Sequence, residues 1–128
     1  DGIEFDSYPG PLGQVITNLV QNALKHAFDG RESGLLRITA SVRHQVVELH
    51  LVDDGKGMPA EVLGRIFEPF YTTRMGQGGS GLGLSISRNI VTGVLGGTLN
   101  ATSQVDFGSQ FNLLLPLSAP DTKALAEA

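Results

Sequence analysis

Apolar side chains recur every three or four residues in two parts of the chain, a spacing that is typical of amphipathic helices. The first helix is predicted from about residue 12 to residue 28, and Pro11 suits its first turn. Its buried arc is expected to contain Val15, Ile16, Leu19, Val20, Ala23, Leu24 and Ala27. Its polar face is expected to carry Gln14, Asn18, Gln21, Asn22 and Lys25, with His26 at the boundary.

The second helix is predicted from about residue 82 to residue 95, where the paired glycines Gly96 and Gly97 end it. Its inward side chains are expected to be Ile86, Ile90, Val91 and Val94. Its outward side chains are expected to be Ser85, Arg88, Asn89 and Thr92. A shorter helix is predicted at residues 60–67, because Pro59 can start a helix and Pro69 ends one.

A period of two residues indicates strands in the rest of the chain. They are expected at residues 2–6, 35–42, 46–53, 98–103 and 108–117. In the strand at 46–53, Asp53 ends the apolar row, whereas Asp54 points to the opposite, solvent-facing side. A carboxylate on the buried side needs hydrogen-bond donors, which come from the protein or from a ligand.

This order of helices and hairpins predicts an α+β fold. The expected architecture is a two-layer sandwich, in which a mixed, mostly antiparallel sheet of about five strands carries about three helices on one face. Residues 1–117 would form a single domain and residues 118–128 a flexible tail. The loop at residues 70–81 would lie over the helix layer.

Composition argues against several classes of function. A net charge of -4 and a pI near 5.2 disfavour a general binder of nucleic acid or of anionic membranes. The chain has no signal peptide and no apolar run of about 20 residues, so no direct membrane contact is expected. The absence of cysteine excludes disulfides and thiolate metal sites. The glycine run before the second helix could cradle a phosphate, because free N–H groups and the helix dipole point the same way.

Four motifs follow one another along the chain, at residues 18–26, 53–57, 67–70 and 79–84. They resemble the asparagine, aspartate–glycine, phenylalanine and second glycine boxes of the catalytic ATP-binding domain of sensor histidine kinases. The resemblance covers residues 8–117. It implies the Bergerat-type fold, shared with DNA gyrase, the ninety-kilodalton chaperones and mismatch-repair ATPases, and it implies ATP and Mg²⁺ as cofactors.

The resemblance assigns roles at the base and at the metal. Asn22 would bind Mg²⁺ through its side-chain carbonyl, which suits an ion that keeps several waters. Asp53 would accept a hydrogen bond from the adenine amino group, and adenine would be preferred to guanine, which carries a carbonyl there. Gly55 and Gly57 would let the backbone approach the base. The hydroxyl of Ser109 would assist at the adenine, in a position where the family usually has threonine.

Other residues would meet the phosphates or close the site, again as the resemblance implies. Lys25 would contact the phosphates. His26 would either donate to them or be structural, and Arg74 would either reach the terminal phosphate or remain solvated. The near end of the loop would be anchored by Phe67 and Phe70. Its far end, which would close over the phosphates, contains Gly79, Ser80, Gly81, Leu82 and Gly83.

Asn18 stands where the gyrase and chaperone branches carry a glutamate that activates water. An amide cannot accept a proton at neutral pH. The resemblance therefore implies a site that holds ATP without rapid hydrolysis and passes the terminal phosphoryl group to another nucleophile. Asn18, Asn22 and Lys25 would then act by positioning the reacting groups.

The histidine that receives the phosphoryl group is expected on a separate dimerisation domain. The histidines of this chain are His26, His44 and His50, and none has the acidic neighbour and helical setting of the family's phosphoacceptor. The chain would be a cytoplasmic, monomeric catalytic domain that does not autophosphorylate alone. Its parent would be a homodimer that acts on a response regulator, and an anchor in the inner membrane stays open. Two alternatives also stay open, a non-catalytic ATP-binding docking module and a serine kinase of the anti-sigma type.

Overall fold

Four antiparallel strands form the sheet of the computed structural model, which describes residues 9–28, 33–71 and 83–118. The sheet has the order β1-β2-β4-β3. Its members are β1 (Leu36–Arg43), β2 (Val46–Asp53), β3 (Thr98–Gln104) and β4 (Gly108–Pro116). These bounds confirm the strands predicted at residues 35–42, 46–53, 98–103 and 108–117 to within one residue at each end. The strand predicted at residues 2–6 and the tail residues 119–128 lie outside the described ranges.

A two-residue turn joins β1 to β2. His44 and Gln45 have φ angles of 52° and 65°, and two consecutive left-handed residues are the geometry that matches the twist of a tight hairpin. The register then runs to the far end of the pair, where Leu36 lies opposite Asp53. On its other side Asp53 lies opposite Ser109 of β4. The carboxylate of Asp53 therefore stands at the end of a central strand, with a paired neighbour on each side.

The core lies on one face of the sheet, beneath two helices, α1 (Pro9–Asn22) and α3 (Gly83–Gly93). Its buried members are Val15, Leu19, Val47, Leu51, Ile66, Val91, Leu95, Leu99, Phe111, Leu113 and Leu115. Helices packed on one face of an antiparallel sheet confirm the predicted two-layer α+β fold. Within the described residues, no helix is long and apolar enough to cross a membrane.

The first helix ends in a π-helical turn, Ala23–Ala27, that the sequence pattern did not reveal. The N–H of Phe28 donates to the carbonyl of Ala23 at 3.1 Å, five residues back. A π turn holds more residues than an α turn, so side chains beyond Asn22 rotate relative to the predicted arc. Leu24, which was predicted to be buried, is 62% exposed, because it lies about half a turn around the helix from the fully buried Val15.

The face of α3 that meets the core also differs from the prediction. Ser85 is buried and Ile86 is 40% exposed, the reverse of the expected arrangement. The contact with α1 is made through a small side chain, since Ser87 is fully buried and hydrogen-bonded to Asn18 of α1. A small residue at the crossing lets the helices approach closely and leaves the larger Ile86 outside. Val91 is fully buried, as predicted.

The short helix behind Pro59, α2, spans only Ala60–Leu63, half of the predicted length. Gly64 ends it, and the chain continues to Phe67 in tight turns. The N–H of Arg65 donates to the carbonyl of Val62 at 2.9 Å, a bond across three residues instead of four. These turns direct Ile66 into the core, where it is 8% exposed.

Two glycines, one just before β3 and one inside α1, should respond oppositely to alanine. A Cβ at Gly97 would overlap the carbonyl oxygen of Leu114, so Gly97→Ala should lower the free energy of unfolding by about 1–3 kcal/mol. A Cβ at Gly13, inside α1, meets no atom within 4 Å, so Gly13→Ala should raise it by about 0.5–1 kcal/mol. Urea unfolding of both variants measures the difference. Equal free energies for the two variants would contradict the packing described for Gly97.

Candidate functional site

The carboxylate of Asp53 is buried at the end of β2 and is held by backbone donors. The N–H of Gly55 donates to its Oδ1 at 2.9 Å, and the N–H of Ser109 donates to the same oxygen at 3.2 Å. Both described hydrogen bonds end on Oδ1, so Oδ2 is the oxygen left to meet a ligand. Asp53 is 6% exposed, which confirms the prediction that it points to the core side.

The neighbouring carboxylate, Asp54, has a structural task on the opposite side of the strand. It is exposed, as predicted, and its Oδ1 accepts a hydrogen bond from the N–H of Leu35 at 2.9 Å. Its own N–H donates to the carbonyl of Leu35 at 3.1 Å. Asp54 therefore extends the pairing of β1 and β2 by one residue, and the two adjacent aspartates have separate functions.

The glycine turn after β2 is fixed between two other segments. A Cβ at Gly55 would overlap the carbonyl of Ala27, which accepts a hydrogen bond from the N–H of Lys56 at 2.9 Å. Gly57 has a φ of 70°, and a Cβ there would overlap the carbonyl of Gln104. Packing within the protein therefore requires glycine at both positions, because a side chain would prevent the turn from packing against the π-helical turn and the β3–β4 hairpin.

Hydroxyl groups join this turn to the β3–β4 hairpin. The Oγ of Ser103 accepts from the N–H of Met58 at 2.8 Å and donates to the carbonyl of Gly108 at 3.0 Å. It also lies 2.7 Å from the Oγ of Ser109. Since a hydroxyl has one hydrogen, and that of Ser103 is used on Gly108, Ser109 must be the donor to Ser103. The Ser109 oxygen therefore presents its remaining lone pairs beside Asp53.

These groups surround a cavity of about 420 Å³, within the range of small-molecule sites. Four of the predicted site residues line it, namely Asn22, Asp53, Gly57 and Ser109. The sequence reasoning missed the other lining residues, which are Ala27, Lys56, Met58, Pro59, Val62, Ile66, Tyr71, Leu84, Val105 and Asp106. Part of this apolar wall could have been predicted from the sequence, because Val62 and Ile66 are four residues apart and follow the glycine turn closely.

The polar face of the first helix meets the cavity at one point. Asn22 lines it, whereas the exposed Lys25 does not, and His26 belongs to the π-helical turn. Asn18 is half-buried, and its Nδ2 donates to the Oγ of Ser87 at 3.0 Å. The described residues contain no cluster of three or more metal-binding side chains. A single amide at the wall fits Mg²⁺ that arrives with a phosphate ligand, because that ion needs only one or two protein oxygens.

The two phenylalanines of the motif at residues 67–70 differ in their surroundings. The ring of Phe67 packs edge-on against Phe111, with centroids 6.4 Å apart, and the guanidinium of Arg88 lies 4.4 Å from its centroid. Phe70 is 67% exposed and has a φ of 66°. Phe67 thus attaches the start of the predicted loop to the core, while the Phe70 ring is available at the surface.

Arg65 reinforces the same segment. Its guanidinium is paired with Glu68, with the Nε and Oε2 atoms 3.2 Å apart, and it lies 4.4 Å from the ring centroid of Tyr71. The hydrogen bond and the charge of Glu68 raise the pKa of Arg65 above its ordinary value. Of the residues predicted to close the site, Gly83 begins α3. The others lie outside the described ranges, and these are Arg74, Gly79, Ser80, Gly81 and Leu82.

Removing the Ser103 hydroxyl should loosen the floor of the cavity. Ser103→Ala deletes the acceptor for the N–H of Met58 and the donor to Gly108, so we expect a loss of about 1–3 kcal/mol in the free energy of unfolding. Ser41→Ala, at an exposed position of β1, is the matched control and should change it by less than about 0.5 kcal/mol. Urea denaturation measures both. An unchanged free energy for Ser103→Ala would contradict the hydroxyl link.

Comparison with known sequences finds relatives that match most of the chain. The sequence model of the histidine kinase-, DNA gyrase B-, and HSP90-like ATPases matches residues 8–119. The chain is 38% identical over 115 residues to the sensor histidine kinase ZraS of Escherichia coli, which covers 90% of this chain and 23% of ZraS. It is 41% identical over 114 residues to the sensor protein ChvG of Agrobacterium fabrum, covering 82% of this chain and 19% of ChvG. The chain therefore spans less than a quarter of either relative.

Solved structures with the same fold are similar to the chain over most of its length. The catalytic domain of the histidine kinase ThkA superposes with a TM-score of 0.74 at 32% identity, covering 88% of this chain and 70% of ThkA's. Full-length ShkA, solved in complex with AMPPNP, superposes with a TM-score of 0.72 at 29% identity, covering 87% of this chain and 22% of ShkA's. The fold is thus that of histidine kinase catalytic domains.

Proposed function

The chain belongs to the family of histidine kinase-, DNA gyrase B-, and HSP90-like ATPases, and from this membership we propose that it binds Mg-ATP and donates the terminal phosphoryl group to a histidine on a separate dimerisation domain. Its sequence relatives are sensor histidine kinases. The observation that carries the proposal is the Asp53 carboxylate, buried at the wall of a 420 Å³ cavity with one oxygen held by backbone donors.

The adenine ring is selected by the second oxygen of Asp53. A carboxylate oxygen accepts a hydrogen bond from the 6-amino group of adenine, whereas the 6-carbonyl of guanine would place two acceptors face to face. The apolar wall formed by Met58, Val62 and Ile66 suits the faces of a purine ring. Full-length ShkA, a structural relative, was solved in complex with AMPPNP, which supports a nucleotide as the ligand.

The triphosphate extends from the adenine toward the first helix. Asn22 would hold Mg²⁺ through its carbonyl, and when bound the ion supplies charge neutralisation for the phosphates. Lys25, which is exposed one turn further on, would supply a cation for the same phosphates, with His26 and Arg74 as further donors. The glycine segment at residues 79–83 would close over them and present backbone N–H groups at the start of α3.

Phosphoryl transfer needs positioning more than covalent chemistry from this chain. A ring nitrogen of the acceptor histidine forms a bond to the γ-phosphorus as the bond to the β,γ-bridging oxygen breaks, and ADP departs. Asn18 supplies no carboxylate that could activate water in competition. The product, a phosphohistidine, would be the phosphoryl donor to a response regulator in two-component signalling.

The setting of the domain follows from the same proposal. The relatives are several times longer than this chain, so the phosphoacceptor would lie on another domain of the parent protein. We propose a cytoplasmic location for the catalytic domain and a homodimeric parent. The domain alone would remain monomeric and would bind ATP without phosphorylating itself.

Introducing a carboxylate at position 18 should convert slow hydrolysis into measurable turnover. Asn18→Glu places a general base one helical turn from Asn22, and such a base contributes about 10²–10⁴-fold to a rate. We expect basal ATPase activity to rise at least ~10-fold. This is less than a well-placed base contributes, because the surroundings of position 18 hold an amide and not a carboxylate. Phosphate release from the full chain measures the effect. An unchanged rate, with ATP affinity intact, would count against the proposed role of Asn18.

A further inference from the structure

The α1–α3 interface contains a buried hydroxyl that the proposed function does not use. Ser87 is 0% exposed, and its Oγ donates to the carbonyl of Gly83 at 2.9 Å. The same oxygen lies 3.0 Å from the Nδ2 of Asn18. A serine in this position joins a residue of the first helix to the first residue of α3.

The hydrogen count at Ser87 sets the orientation of the Asn18 amide. The single hydroxyl hydrogen is directed to Gly83, so the hydroxyl can only accept from its other neighbour. The group of Asn18 that faces Ser87 must then be the NH₂ group. The carbonyl oxygen of the Asn18 amide then points away from Ser87 and is the atom that can accept a hydrogen bond. A carboxylate at position 18 would lack the donor that this arrangement requires.

We propose that Ser87 is a positioning residue that couples the two sides of the nucleotide site. It orients the Asn18 amide, one turn before Asn22, the proposed magnesium ligand, and through its bond to Gly83 it links that amide to the first turn of α3. The inference rests on the proposed function, because it concerns how the phosphate side of the ATP site is arranged. The phosphate side then depends on a residue that does not contact the ligand, and an amide suits position 18 because it can donate to Ser87.

Nucleotide binding by the full chain tests the proposal, with two probes that separate the phosphate side from the base. Ser87→Ala should weaken Mg-AMPPNP binding by roughly tenfold, the equivalent of one oriented hydrogen bond. The affinity for ADP without Mg²⁺, which depends mainly on the contacts at Asp53, should change less than about twofold. Thr92→Ala is the matched control, because Thr92 makes the same bond to a carbonyl four residues back, that of Arg88, at an exposed site. It should change neither affinity.

A double-mutant cycle identifies the route of the effect. If Ser87 acts through Asn18, then Asn18→Ala combined with Ser87→Ala should bind Mg-AMPPNP no more weakly than Asn18→Ala alone. Independent, multiplying losses would overturn the proposal, as would an equal loss for ADP without Mg²⁺, which indicates general disruption. A wild-type chain that binds neither nucleotide would instead overturn the proposed function itself.

One measurement on the wild-type chain needs neither nucleotide nor a folded variant. In proton NMR, the buried Ser87 hydroxyl hydrogen should exchange slowly and show an Overhauser effect to the Nδ2 hydrogens of Asn18. A rapidly exchanging hydroxyl, or Asn18 amide hydrogens with the shifts and exchange rates of a free side chain, would overturn the proposed orientation even if ATP binding is confirmed.

Discussion

Replacing Asp53 with asparagine should weaken ATP binding by roughly 100-fold and reverse the preference for the purine. The Oδ1 of an asparagine can still accept from the N–H groups of Gly55 and Ser109, so the backbone around it should be retained. The second position of the side chain, however, becomes an NH₂ group that faces the adenine amino group. The loss of a charged acceptor and the opposition of two donors cost about 3 kcal/mol together, which corresponds to that factor.

The base determines whether this loss is specific. Inosine triphosphate carries a carbonyl in place of the 6-amino group, so Asp53→Asn should bind it more tightly than ATP, whereas the wild-type chain should prefer ATP. Asp54→Asn is the matched control, because the adjacent carboxylate is exposed and bonded to Leu35. Calorimetric titration with both nucleotides measures the preference. Equal weakening of ATP and inosine triphosphate in Asp53→Asn would show that this carboxylate does not recognise the base.

Replacing Asn22 with alanine should remove the dependence of nucleotide affinity on Mg²⁺. The amide is the proposed protein ligand of the ion, and the described residues offer no cluster of carboxylates that could take its place. We expect Mg²⁺ to strengthen ATP binding by roughly 10- to 100-fold in the wild-type chain and by less than about twofold in Asn22→Ala. In the complete parent protein, phosphorylation of the acceptor histidine should fall by roughly 100-fold or more.

The neighbouring residue provides a control for the loss of an amide from the same helix. Gln21 is exposed and does not line the cavity, so Gln21→Ala should keep the response to Mg²⁺ of the wild-type chain. Titration of ATP in the presence and absence of the ion compares the two variants. A full response to Mg²⁺ in Asn22→Ala would move the metal site away from the first helix, although the adenine site would be unaffected.

The strands and the position of Asp53 could be predicted because a period of two residues is a strong local signal. The apolar row of Val47, Leu49 and Leu51 continues to Asp53, and a carboxylate at the end of such a row can be recognised without coordinates. Its second backbone donor could not be predicted, because Ser109 lies 56 residues away along the chain and meets it only through the pairing of β2 with β4.

The errors on the helices have local physical causes. Leu24 lies at the edge of the predicted arc, about half a turn around the helix from Val15, and the packed face is narrower than the apolar arc. The π-helical turn after Asn22 could not be predicted, because a period of 3.6 residues assumes a regular α-helix throughout. On α3, the sequence pattern predicts Ile86 in the core and Ser85 outside. The observed face is the reverse, and the close contact of Ser87 with Asn18 that accompanies it depends on tertiary packing. The walls of the cavity, from Met58 to Ile66, likewise come together only in the folded sheet and helix layer.

Transfer of a labelled γ-phosphoryl group tests the central claim most directly. The full chain, with Mg²⁺ and γ-labelled ATP, is mixed with the dimerisation domain of its own parent protein. The account predicts that the label appears on that domain as a phosphohistidine, which is labile in acid and stable in base. ATP binding without transfer would favour a docking module, and acid-stable label on a serine would indicate a serine kinase. Either result would contradict a histidine kinase catalytic domain.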